Sequence, residues 1–225
     1  MKYLWILILG IFAGGAAKGQ QPTDFYFRKP LPEQCKEIQK IPVSLQGRWQ
    51  SKKDTLRSVI ITDKKIYTQY KHVMFLAEKE LKKSGYTLKD GYLYGFSKHD
   101  SLPASVVNDT VIFCYISDHE LVNLELEEAP SAVAEMKNGL LISKPTDSVY
   151  SYTMVRVEKG ELQLMEVDHE TQIDKVVGQI KPEVIQDESG ETIAYLADPD
   201  KKQMQKFIDA GFFNVVQRCG KIIAP

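Results

Sequence analysis

The stretch that decides the fold runs from Val149 to Val167, VYSYTMVRVEKGELQLMEV. Two apolar runs, Val149 to Val157 and Glu161 to Val167, flank Lys159-Gly160. The first run alternates and is rich in β-branched and aromatic residues, and a Gly-containing pair punctuates a tight turn. The stretch therefore reads as a β-hairpin. Successive side chains of a strand point to opposite faces. One face of the first run then holds Tyr150, Tyr152, Met154 and Arg156, and the other Val149, Ser151, Thr153, Val155 and Val157.

The same grammar extends to both sides. MKNGLLISK, Met136 to Lys144, turns at Asn138-Gly139. Upstream, Ser58 to Thr62 is a β-branched run, Asp63-Lys64-Lys65 a charged turn, and Ile66 to Tyr70 an alternating run with Ile66, Thr68 and Tyr70 on one face. His72 to Ala77 is a further apolar run, and Ala77 to Gly85 has the composition of one or two helical turns. Tyr86 to Phe96 folds around Lys89-Asp90-Gly91, a strong hairpin signal. Asn108 to Leu126 reads as strand, Ser117–Glu120 turn and strand. Late in the chain, Asp198 is the expected N-cap and Pro199 the first helical residue. Met204, Phe207 and Ile208 share a face, and Gly211 ends the helix. Phe212 to Cys219 is a final strand. Strands at such regular spacing predict an all-β sandwich or barrel, and no long amphipathic helix between them points to βαβ units. The likeness of KDGYLYGF and KNGLLISK reflects shared turn chemistry rather than a repeat.

The N-terminus predicts export. A basic start at Met1-Lys2 precedes an uncharged apolar stretch, Tyr3 to Ala17, and a polar segment follows, the layout of a secretory leader. The apolar stretch is 15 residues long, against the roughly 20 of a spanning helix. Cleavage before Gln20 leaves no transmembrane segment, the alternative being a retained anchor. The expected destination is the periplasm, the cell envelope or the extracellular space. No cysteine directly follows the apolar run, so a lipid anchor there is not expected. The domain reading is a leader over 1–19, an extended Pro-rich lead-in over 20–42, and one β domain over 43–225. Loss of Lys2 and Lys18 with the leader leaves 27 basic and 30 acidic residues. That mild charge offers no nucleic-acid footprint and no polybasic membrane patch.

Little in the chain points to catalysis. His72, His99, His119 and His169 show no zinc-type spacing. Asp118-His119-Glu120 and Asp168-His169-Glu170 read as charged strand ends rather than metal ligands. There is no G-x-S-x-G elbow and no Gly-rich phosphate loop. The expectation is a protein that is not an enzyme, with no metal and no cofactor. Asn108-Asp109-Thr110 matches a glycosylation sequon, relevant only in a eukaryotic secretory path. Of the three cysteines, Cys114 reads as a buried core thiol within VIFCYI. Cys35 and Cys219 flank the β region, and export permits a bridge between them. Three reduced thiols are the alternative. Tyr86, Tyr92, Tyr94 and Phe96 around Gly91 fit either a stacked ligand or a half-buried hairpin.

Gly47-Arg48-Trp49, the strand meander, the short C-terminal helix and the last strand together resemble a lipocalin-like (calycin) barrel, as carried by uncharacterised secreted bacterial proteins. The resemblance covers Leu45 to Cys219 as element order and three residues as sequence. Thr146-Asp147 and Tyr150 are similar to a second lipocalin motif at a different spacing. The resemblance implies an antiparallel meander closing into a barrel. Trp49 would plug its closed end, with Arg218 approaching the ring, and Gly47, Trp49 and Arg218 would be structural. It also implies an interior that takes a small apolar or amphipathic ligand. Tyr67, Tyr150, Tyr152 and Met154 are the candidate ligand-lining residues. The alternative function is an envelope protein–protein interaction module of β-sandwich or open-sheet type, its partner not identified by sequence. An exposed edge strand, or the lead-in, would meet that partner.

Overall fold

The computed structural model describes residues 24–81, 83–96, 101–127, 131–167 and 180–222. The expected leader, His99 and Asp168-His169-Glu170 lie outside the described residues. In chain order the strands are β1 (Asp24–Phe27), β2 (Gly47–Ser51), β3 (Arg57–Ile61), β4 (Lys65–Ala77), β5 (Thr87–Lys89), β6 (Tyr92–Tyr94), β7 (Leu102–Val107) and β8 (Thr110–Asn123). They continue with β9 (Ala132–Met136), β10 (Gly139–Thr146), β11 (Val149–Glu158), β12 (Glu161–Val167), β13 (Glu183–Gln186) and β14 (Thr192–Ala197). A helix, α1 (Lys201–Asp209), and β15 (Phe213–Lys221) follow. The chain is thus mostly β, with a short helix before its last strand.

Local chemistry explains the hairpins. Lys159 and Gly160 have φ of 53° and 79°, Asp90 and Gly91 of 51° and 77°, and Asn108 and Asp109 of 48° and 58°. Two successive positive values make the turn type whose twist matches that of paired strands. At the β9–β10 turn Gly139 is required for space, since a Cβ there would lie 2.2 Å from the Val155 carbonyl oxygen. α1 starts at Lys201, capped by Asp200 rather than Asp198. Asp200 Oδ1 accepts from the Gln203 N–H at 2.8 Å, while Gln203 Oε1 accepts from the Asp200 N–H at 2.9 Å. This reciprocal capping box satisfies two backbone donors and fixes the helix start.

Two sequence boundaries move. Ile66–Tyr70 and His72–Ala77 form one strand, because the single Lys71 between them supplies no turn. The Ser117–Glu120 turn is absent. Those residues pair with Tyr70, Gln69, Thr68 and Tyr67 as β8 runs on, and a bulge after Ile66 absorbs the irregularity.

The strands form a large mixed sheet in the order β13-β14-β1-β11-β12-β15-β2-β3-β4-β8-β7-β6-β5, with β10 and β9 branching from β11. β1 and β14 are parallel; the other pairs are antiparallel. The sheet is not closed into a barrel, contrary to the expected meander. β8 continues outward to pair with β7 instead of turning back to β9. The gap is spanned by residues 37–41 of the lead-in. Glu37 bridges Ala134, the Ile38 N–H donates to Val133 O at 2.8 Å, and the Ile41 N–H donates to Asp63 O at 2.7 Å. The lead-in is therefore woven into the sheet at two places, β1 and this span.

Alternation along β10, β11 and β12 builds a core on each face. On one, Phe25, Phe27, Leu141, Tyr152, Met154 and Met165 pack with Met204, Phe207 and Ile208 of α1 and with Phe212. On the other, Leu140, Ile142, Val155, Leu162 and Leu164 meet Trp49, Val59, Ile61 and Ile66, sealed by Ile41 and Leu45. A third, smaller cluster of Leu81, Leu93, Val111 and Phe113 lies under the outer half of β4 and β8.

Candidate functional site

The four candidate ligand-lining residues do not share a space. Tyr152 and Met154 are buried in the first core. The Tyr152 hydroxyl donates to Lys29 O at 2.9 Å, and burial pushes its phenol pKa far up. Tyr150 packs half-buried against the same cluster. Tyr67 lies elsewhere, on the face of β4 turned away from buried Ile66 and Thr68. Trp49 is buried, with no closed barrel end to plug, and its Nε1 donates to Leu45 O at 3.0 Å. The cation at its ring is Lys221, with Nζ 5.3 Å from the centroid. Arg218 is half exposed and stands 3.8 Å from Glu161. The reason is alternation: Arg218 pairs with Gln163, whereas Cys219 turns to the second core. Gly47 opens β2 opposite Ile61.

The Cys35–Cys219 bridge is not formed; all three cysteines are free thiols. Cys35 packs against the first core, its Sγ 4.0 Å from Met136 Sδ, while Cys219 is buried in the second. The sheet stands between them, and burial pushes both thiols up in pKa. Cys114 is half-buried rather than a core residue. His119, with Asp118 and Glu120, lies within β8, and no cluster of three metal-ligating side chains occurs among the described residues.

What the topology builds instead is an arm. β4 and β8 have 13 and 14 residues, so at ~3.3 Å per residue they reach about 43 Å. Their inner ends, with Ile66 and Val122, belong to the second core. Their outer halves, with β7 and β6, leave the body. One face of this outer sheet carries Leu76, Val111, Phe113, Leu93, Leu102 and Ala104, the third cluster.

The opposite face is apolar and uncovered. Register places Val73 opposite Cys114, and Phe75 opposite Ile112, which is also opposite Ser105. Ile116 sits opposite Lys71, and Pro103 opposite Tyr92. Phe75 is 66% exposed, Ile116 58% and Val107 51%, with Tyr92 and Tyr94 near 43% and 42%. Four strands ~4.8 Å apart, over six residue steps of ~3.3 Å, outline a face on the order of 400 Å². The largest apolar patch on a monomeric protein is commonly ~300–600 Å² and often functional.

Where the arm leaves the body, the covered face turns polar and aromatic. Cys219 is opposite Ser51, and Arg57 is opposite Tyr70, itself opposite Ser117. Arg57 stands 5.0 Å over the Tyr70 ring. His72 stacks on Tyr115 at 4.4 Å and 12°, and its Nε2 is 2.7 Å from Ser117 Oγ. Arg57 Nε and Gln217 Oε1 are buried without a hydrogen-bond partner. The His72–Ser117 contact has the reach of a base and a nucleophile, but no carboxylate is found on the imidazole among the hydrogen bonds of the described residues. A hydrolytic site also needs that orienting group and a set of oxyanion donors.

Along α1 runs an open cleft of about 600 Å³, lined by Ile180, Gln203, Lys206, Phe207, Asp209 and Ala210. No helix among the described residues is long and apolar enough to cross a membrane. Comparison with protein-family models, curated proteins and solved structures returns no match to this chain.

Proposed function

We propose that this protein is an exported, non-enzymatic interaction module that docks through the outer face of its β4–β8 arm. The observation that carries the reading is the exposure of Phe75, midway along an apolar sheet face, and of Ile116 toward its inner end. Leaving such side chains in water forgoes roughly 1.5–3 kcal/mol apiece, so a surface that keeps several of them together gains by being covered. The test is thiol labelling of a Phe75→Cys variant. Docking predicts protection in intact cells and ready labelling of the dilute purified protein. Equal labelling in both settings would remove the reading.

A second reading keeps the lipocalin-like expectation of a bound small molecule. It is favoured by the unpartnered Arg57 Nε and Gln217 Oε1 at the polar end of the second core. Buried polar atoms generally have partners, water included, and a ligand offering both an acceptor and a donor would complete this pair. Native mass spectrometry of gently purified protein tests it. A co-purifying small molecule lost in an Arg57→Met variant supports the reading, and a bare mass counts against it.

A further inference from the structure

We propose that the outer face of the arm is covered by the same face of a second copy of this chain, the two arms lying antiparallel. This rests on the docking reading above and names its occupant.

The pattern along the face points to a second copy. Lys71 lies at its inner end, exposed and in no ion pair among the described residues. Glu78 and Asp109 lie just past its outer end, where the Glu78 N–H donates to Asp109 O at 2.9 Å. Val73 and Phe75 stand between. A twofold axis across the strands, midway along this stretch, brings Lys71 of each copy to the acidic end of the other. It also sets Phe75 of each copy against Val73 of the other. A twofold axis along the strands would instead stack Lys71 on its own copy and crowd the two bodies at one end. Charges elsewhere on the arm are mixed: Asp118 near Lys71 accepts from Gln69 Nε2 at 3.1 Å, and Lys89 flanks Tyr92. They leave the Lys71-to-acidic match as the feature that picks a direction.

Area sets the strength. Two faces on the order of 400 Å² each bury about 800 Å² in total, well below the ~1,200–2,000 Å² of stable specific interfaces. The dimer is therefore weak and concentration-dependent. The sheet geometry suits it, because twisted sheets pack face to face with strands aligned within about 30° and ~10 Å apart. Isologous contact of this kind closes on itself and does not propagate into fibres.

Sedimentation velocity of the mature chain across a hundredfold range of concentration tests the proposal. The wild type is expected to pass from one copy to two. Phe75→Asp and Ile116→Lys, each at an exposed position, are expected to stay single throughout with an unchanged circular-dichroism spectrum. Lys71→Glu should weaken the dimer by about threefold, the scale of an exposed ion pair. Adding Glu78→Lys and Asp109→Lys to Lys71→Glu should restore it. A wild type that stays single at every concentration overturns the second copy as occupant, as does a dimer indifferent to Phe75→Asp. The docking reading stands or falls separately, on the in-cell labelling of Phe75→Cys. A photo-crosslinker at position 75 that captures a different protein would keep docking and discard self-pairing.

Discussion

Phe27 and Tyr152 lie ring on ring, with centroids 3.8 Å apart and 8° between their planes. One comes from the lead-in and the other from the hairpin at the centre of the sheet. The stack sits within the first core, where both are buried. Phe27→Ala is expected to cost about 3–5 kcal/mol, as truncations of buried aromatics do. Tyr152→Phe keeps the ring and loses the hydrogen bond to Lys29 O, for about 1 kcal/mol. Urea unfolding of the two variants measures the difference, and equal losses would refute this division.

Trp49 and Arg218 are expected to separate in the same experiment. Trp49 is buried and hydrogen-bonded, so Trp49→Ala should lose about 3–5 kcal/mol. Arg218 is half exposed on the other face, so Arg218→Ala should stay within about 0.5 kcal/mol. A large loss at Arg218 would mean that it, and not Lys221, supports the indole.

The cysteines make a mass-spectrometric prediction. Cys35 and Cys219 are free, and burial raises both thiols. Cysteine reacts as the thiolate. At pH 8 the folded chain should therefore alkylate at Cys114 first and at Cys219 last, and all three should react in denaturant. An intact mass lower by two hydrogens, mapping to linked Cys35 and Cys219 peptides, would contradict the fold.

Glu161 gives a pH dependence with a defined sign. Its hydrogen bond from Lys52, then the charges of Lys52 and Arg218, hold its carboxyl below the ordinary value of 4.5. A group with a depressed folded value contributes stability above its unfolded value, and the contribution fades as pH falls through the folded one. Acid titration of stability should show this slope below pH 4.5, and Lys52→Met should flatten it. A variant with an unchanged slope would assign the acid sensitivity to other carboxylates.

The hairpins around Asp90-Gly91, Asn138-Gly139 and Lys159-Gly160 were legible because a turn is a local event, carried by two or three residues. The helix was legible for the same reason, although its cap is Asp200 in place of the expected Asp198, because the Asp200 side chain reaches the Gln203 N–H. The arm was not legible. VMF and VIFCYI are apolar on both faces, which in sequence reads as a strand covered on both sides. What covers each face depends on strands far along the chain, and here one face meets Leu93 and Leu102 while the other meets solvent. Arg218 failed for a related reason. A bulge between Leu164 and Met165 shifts the register of β12 with β15, and a shift of one residue exchanges the faces. The prolines of the lead-in make it read as a segment apart, yet Pro30, Pro32 and Pro42 fall outside both β1 and the span over residues 37–41.

β1 has a consequence for the order in which the molecule can assemble. Asp24–Phe27 is held on one side by Tyr150 and on the other, in parallel, by Ala194–Ala197. As the chain emerges from a ribosome or an export channel, Phe25 and Phe27 have no lasting place until more than 160 later residues have appeared. Closing so long a loop is entropically slow, and contacts that depend on it form late. Strands β2–β8 can pair among themselves, and β9–β12 likewise, while they wait. The first core is then the final seam, stitched when both flanks of the polypeptide are free to meet. A chain interrupted before β14 would leave the phenylalanines of β1 exposed, as a handle for chaperones or proteases.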